Sequence, residues 1–224
     1  GRIYADERPT ALNTTTLVEH TIRGNGCRIA KISTGLETQI YRKLELHRQP
    51  INTLALRNSK HVVYYQEACR YWLKAVVGLP YFKRNGKTTA PPHGRFIYFQ
   101  SRKAAQFVRC LLNSSLFYWY YSVFSDCEHV NDQIVRDMPI PNGWSNGAWS
   151  ELSKQLSKSL ARYAIRKVIK TKQGHTIEYD EMKAMLSKNE IDEIDSALAT
   201  YYGFTDEELD FIINYDIKYR MGIK

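Results

Sequence analysis

Between residues 102 and 124, Ala104, Phe107, Val108, Leu111 and Leu112 recur at helical spacing, which predicts a buried helix that Ser101 can cap. The pattern upstream is different. Residues 61–77 are rich in β-branched and aromatic types and change polarity between Gln66 and Arg70, as a β-hairpin does at its tip. Residues 95–99 read as a further strand. Residues 27–33 read as a short strand ending in the loop Ser33-Thr-Gly-Leu-Glu-Thr38, where Gly35 can supply a positive φ. Gly78, Pro80, Gly86, Pro91, Pro92 and Gly94 break regular structure and leave a basic loop carrying Lys83, Arg84, Asn85 and Lys87.

The second half reads as helical. Leu152, Leu156, Leu160, Ala164 and Val168 form an apolar stripe, and Lys154, Lys158, Arg162, Arg166 and Lys170 form a basic stripe beside it. Together they predict an amphipathic helix over 152–172. Ile191, Ile194, Leu198 and Tyr201 predict another helix that closes at Gly203, and Thr205 with Glu208 three residues later forms a capping box for the next. Pro139, Pro141 and Gly143 place an exit from the first fold at 137–144, with a boundary near Gly147. The expected class is α+β. A small mixed or antiparallel sheet with packed helices occupies 1–147, and a helical C-terminal region follows over 148–224.

Charge sharpens this division. The net charge of the 224-residue chain is +9. Residues 23–109 hold 17 Lys or Arg against Glu37, Glu45 and Glu67, a balance of +14, while residues 175–217 hold 12 acids against Lys183 and Lys188, a balance of −10. A phosphate-facing surface is therefore expected in the first half, with the acidic segment packed on protein. The most apolar run, 110–124, contains Asn113, Ser114 and Ser115 and falls short of the roughly 20 residues that a membrane span needs, so no membrane partner is expected. The four cysteines show no CxxC spacing, and a reducing cytoplasm is the expected setting. The chain opens on Gly1, as a piece of a larger protein would.

Tyr64, Tyr65, Arg70, Tyr71, Trp72 and Lys74 put basic and aromatic groups on one hairpin. A two-stranded ribbon fits a major groove about 12 Å wide, where Arg and Lys read guanine and Gln and Asn read adenine. Gln66, Arg70, Lys74, Lys83, Arg84, Asn85, Lys87 and Arg95 are the resulting candidates for DNA contact. Trp72 and Tyr65 also suit the core of a small sheet. Asp126, Glu128, Asp132 and Asp137 with His129 make a weaker candidate for metal chemistry, since no lysine accompanies them. Two further readings stay open: a protein-interaction module whose basic surface takes an acidic partner, and an RNA-binding module that stacks bases on tyrosines.

The run Cys110-Leu-Leu-Asn-Ser-Ser-Leu-Phe-Tyr-Trp-Tyr-Tyr, followed by Val135-Arg-Asp-Met-Pro-Ile-Pro141, resembles the C-terminal specificity domain of TaqI-like adenine-specific DNA methyltransferases and fused type II restriction-modification enzymes. The Thr34-Gly35 step resembles their entry loop. The tail Ile191-Asp-Glu-Ile-Asp to Tyr202-Gly-Phe-Thr-Asp-Glu-Glu-Leu is similar to the ends of many fused chains, with Phe204 where leucine is commoner. The resemblance implies a reader of double-stranded DNA that helps place a flipped adenine in the methyltransferase domain upstream in the same polypeptide. It also implies S-adenosylmethionine, and for a nuclease Mg, in the parent enzyme. This chain has neither the Asn/Asp-Pro-Pro-Tyr/Phe motif nor a glycine-rich cofactor loop: its one proline pair is Ala90-Pro-Pro-His93. It is therefore expected to be non-catalytic and to hold no cofactor itself.

Overall fold

The computed structural model describes residues 9–10, 30–32, 34–69, 71–125 and 127–222. Helix α1 (Gly35–Glu45) starts at a capping box: the Thr34 hydroxyl accepts the Glu37 N–H at 3.1 Å, and the Glu37 carboxylate accepts the Thr34 N–H. The loop expected at 33–38 is thus a helix start, because these two side chains satisfy amides that the first turn leaves open. Gly35 does not adopt a positive φ. Residues 30–32 are not in a strand, and the remainder of the expected 27–33 strand lies outside the described residues.

Two four-stranded sheets form among the described residues. The first runs in the order β1 (Ala55–Leu56), β6 (Gly94–Phe99), β2 (His61–Gln66) and β3 (Ala75–Val77). The second runs in the order β5 (Lys87–Thr88), β4 (Phe82–Arg84), β8 (Thr176–Glu181) and β7 (Ile165–Lys170). All pairings within them are antiparallel. The hairpin expected over 61–77 is present, with Tyr64 opposite Val76 and Tyr65 opposite Ala75. The class is α+β.

Helix α2 (Arg102–Asn113) packs on the first sheet, whose inward residues Val63, Tyr65, Ala75, Ile97 and Phe99 join it in the core. Ser101 caps it by accepting the Ala104 N–H, as expected. The helix does not run on to Phe124. Ser114 is extended, and its hydroxyl accepts the Phe117 N–H, so a second helix, α3 (Ser115–Phe124), begins there. Three consecutive side chains able to bond the backbone make such a break favourable. Asn113 is engaged by the sheet: its Oδ1 accepts the Ala75 N–H at 3.2 Å and its Nδ2 donates to Ala75 O at 2.9 Å. The helical Leu-Asn-Ser motif therefore seals the outer edge of β3.

Past α4 (Asp132–Asp137), the Pro-Ile-Pro segment is pinned to residues 49–51, with Ile140 N–H to Gln49 O at 2.7 Å and Ile51 N–H to Met138 O at 2.9 Å. Helix α5 (Trp149–Arg162) then packs along α2, where buried Arg109 donates to Ser153 and Ser157 and Trp149 meets Phe107 edge-on. The helix expected over 152–172 stops at Arg162. Ile165, Val168 and Ile169 are β-branched and prefer the pleat, and Gly174 at φ +81 permits the turn into β8. One continuous core holds Val108 and Leu112 from α2 together with Leu156, Ile194, Leu198 and Ile212 from beyond Gly147.

Helix α6 (Lys188–Tyr202) ends on Gly203 at φ +70, and α7 (Asp206–Asn214) starts at the expected Thr205/Glu208 capping box. The short α8 (Ile217–Arg220) follows. Ile191, Ile194 and Leu198 are fully buried, Tyr202 Oη–H donates to Pro139 O at 2.6 Å, and Glu208 pairs with Lys43. Amide exchange in α6 is accordingly expected to be among the slowest in the protein; exchange at free-peptide rates across 190–202 would contradict this docking.

Candidate nucleic-acid interface

The basic loop expected around Lys83 is a hairpin. Asn85 and Gly86 take φ of 50 and 76, the left-handed pair that a tight two-residue turn requires, and they join β4 to β5. The Asn-Gly dipeptide was the signal for it. Because Arg84 lies opposite Ile177, and Lys170 opposite Thr176, the Asn85–Gly86 turn and the β7–β8 turn over 171–175 emerge at the same end of the second sheet. Asn85 locks them together. Its N–H donates to Thr176 O at 2.8 Å, its Oδ1 accepts the Thr176 N–H at 2.9 Å, and its Nδ2 donates to His175 Nδ1 at 2.9 Å. Asn85 thereby holds the shape of the tip.

Charge along this sheet is graded. Away from the tips, Arg166 pairs with Asp180 and lies 3.5 Å over the Tyr81 ring, and Tyr81 Oη–H donates to Glu178 at 2.8 Å. Glu181 pairs with Lys183 at 2.7 Å, a contact that holds its carboxyl below the ordinary range. Lys83 stands 5.3 Å from the Tyr81 ring centre, closer to this neutralised middle. At the tips the balance changes: Arg84, Lys87, Lys170 and Lys172 are all exposed, and residues 84–88 and 170–176 contain no acid. Gln173 is exposed among them. Among the described residues no helix packs broadly on either face of this sheet, and Val168 on one face and Ile169 on the other are 62% and 45% exposed.

The remaining candidates sit on the first sheet. Gln66 ends β2 and donates its N–H to Lys74 O at 3.1 Å; Arg95 forms an exposed ion pair with Glu67. Arg70 lies outside the described residues. The seven described candidates thus divide between two places, and the hairpin of β7 and β8, within the region expected to be helical, joins one of them. Tyr65 is core: its hydroxyl donates to Asp132 at 2.6 Å, and Asp132 also holds Arg136. Trp72 is partly buried and donates to Arg220 O at 3.0 Å. Among the described residues no group of three or more His, Cys, Asp or Glu is placed to hold a metal ion, and no helix is long and apolar enough to cross a membrane. Comparison with protein-family models, curated proteins and solved structures finds no match to this chain.

Proposed function

We propose that the chain is a target-recognition unit for duplex DNA, with the two joined tips of the second sheet as its DNA-facing end. One observation carries the reading: two turns, each bearing exposed cations and no acid, are bonded side by side at the end of a sheet on which no helix packs broadly among the described residues. The cations suit phosphate, and Gln173 beside them suits an adenine edge. The resemblance of the Leu-Asn-Ser and Pro-Ile-Pro segments to TaqI-like specificity domains supports the same reading. On it, methyl transfer and S-adenosylmethionine belong to a methyltransferase domain upstream, and this chain selects the site.

Arg84→Glu with Lys87→Glu, and separately Lys170→Glu with Lys172→Glu, are expected to weaken duplex binding about tenfold or more. Each pair should also flatten the salt dependence, by close to one unit of slope for every phosphate that is no longer neutralised. All four side chains are exposed, so circular dichroism should be unchanged. Gln173→Ala should relax preference at one base position by about 1–3 kcal/mol if its contact is bidentate. If both charge reversals leave affinity and salt slope as in the parent chain, the tips are not the DNA surface.

A further inference from the structure

Among the described residues the first sheet has α2 on one face and no helix packed broadly on the other. The register lays out the other face as a grid: Leu56, Tyr98 and Val62 form one row across β1, β6 and β2, Phe96, Tyr64 and Val76 the next across β6, β2 and β3, and Gly94 and Gln66 begin a third beside Lys74. A sheet covered on one side ordinarily alternates apolar inside with polar outside. Here the outside is apolar and aromatic. None of Leu56, Val62, Phe96, Tyr98 and Val76 belongs to the core, which takes the alternate residues Val63, Tyr65, Ile97 and Phe99, while Tyr64, also on this face, is buried at 4% exposed.

The aromatic rings are arranged along this face. Tyr64 lies against Gly94, where any β-carbon would come within 2.2 Å of the ring, and it meets Phe96 edge-on at 5.4 Å between centres. Glycine at 94 therefore lets Tyr64 lie down on the sheet. Phe96 and Tyr98 are left half-buried, and Leu56 is 47% exposed beside Tyr98. Cations predominate at the rim. Arg57 and Lys60, both exposed, flank the Leu56 row and residues 55–66, 74–79 and 94–99 contain no acid, while at the other end Lys74 lies near Glu181, and Glu67, near Tyr64, is paired with Arg95.

We propose that this face is a stacking platform for an unpaired DNA strand, its bases on Tyr98 and Phe96 and its phosphates toward Arg57, Lys60 and Lys74. Flat rings beside cations are what a single strand offers partners for, since each base has an open face and each link a negative charge. A duplex keeps those faces stacked on one another. A second copy laid face to face would set one cationic rim against another. The choice of DNA over RNA rests on the duplex-reading function proposed above; the stacking chemistry does not.

The test uses the whole chain with fluorescein-labelled oligo(dT), oligo(U) of equal length and a mixed-sequence duplex at fixed salt. Tyr98→Ser is expected to lower oligo(dT) affinity about tenfold, while Tyr98→Trp should retain it and show fluorescence quenching on binding. Arg57→Glu with Lys60→Glu, exposed positions that spare the sheet, should lower it as well. Duplex binding should follow Arg84 and Lys87 and ignore Tyr98, so either reading can fail without the other. Unchanged oligo(dT) binding in both the Tyr98→Ser and the charge-reversed variants overturns the proposal. So does tighter binding of oligo(U), or a concentration-dependent dimer that Tyr98→Ser abolishes.

Discussion

Replacing Arg220 with alanine is expected to destabilise the protein by about 3–5 kcal/mol, the cost of removing one buried charge that offsets another buried near it. The guanidinium is 2% exposed, lies 3.9 Å from the Trp72 ring centre and 5.0 Å from that of Tyr118, and donates twice to Ser115 Oγ at 3.1 Å. Its backbone carbonyl accepts the Trp72 indole N–H. Asp195, also 2% exposed, reaches the same place from α6 and accepts the Ser115 and Leu116 N–H groups at 3.0 and 3.1 Å, capping α3. Burial pushes the Asp195 carboxyl up, those bonds and Arg220 pull it back, and the balance leaves it raised to about 6. Burial also lowers Arg220, but a guanidinium starts so high that it stays charged.

The pH dependence follows from that balance. Asp195 binds its proton more tightly in the folded chain than in the unfolded one, so its contribution to stability is complete below about pH 4 and is lost as pH rises through 6. Without Arg220 the folded value rises further. The deficit of Arg220→Ala should therefore be larger at pH 7 than at pH 4.5, as measured by urea unfolding, with Arg220→Lys between the variant and the parent. A deficit under 1 kcal/mol, or one equal at both pH values, would show that Arg220 does not compensate Asp195.

What could be read from the sequence was local. The Ser101 cap, the Thr205/Glu208 capping box and the hairpin of β2 and β3 each depend on residues a few positions apart, and the aromatic content of Tyr65 and Trp72 already suggested their buried roles. The break at Ser114 was hidden because apolar spacing continues through it from α2 into α3. The stripe from Leu152 to Val168 was misleading for a related reason: Val168 keeps the helical period of α5, although its neighbours Ile165 and Ile169 favour a strand.

The second sheet was invisible because it joins β4 to β8, whose paired residues Arg84 and Ile177 are far apart in the chain. Segment charges were too coarse in the same way. The acidic stretch 175–217 was expected to be packed on protein, and within it Glu178, Asp180 and Glu181 lie in the very sheet that carries Arg84 and Lys87. They are engaged by Tyr81, Arg166 and Lys183, which confines the cationic excess to the tips. Only pairing between distant strands reveals which cations remain exposed together.

Asn113→Ala is expected to cost about 2–3 kcal/mol, because it leaves a buried backbone donor without a partner. β3 is the edge strand of the first sheet, and Tyr65 lies opposite Ala75 on its inner side. The outward N–H and C=O of Ala75 meet the Asn113 amide, which stands in for a neighbouring strand and also donates to Arg109 O at 2.8 Å. Alanine at 113 would strand the Ala75 N–H; the Ala75 carbonyl would keep the Arg109 Nε–H at 3.3 Å. Asn113→Asp should be worse despite its matching shape. It retains the acceptor but turns a carboxylate oxygen toward the carbonyls of Ala75 and Arg109, inside a site that is 5% exposed. Urea unfolding of the two variants should rank them parent, Ala, Asp at pH 7, and amide exchange at Ala75 should quicken in both. An aspartate variant as stable as the parent would mean that the amide's donors are idle and that the edge of β3 is held by Arg109.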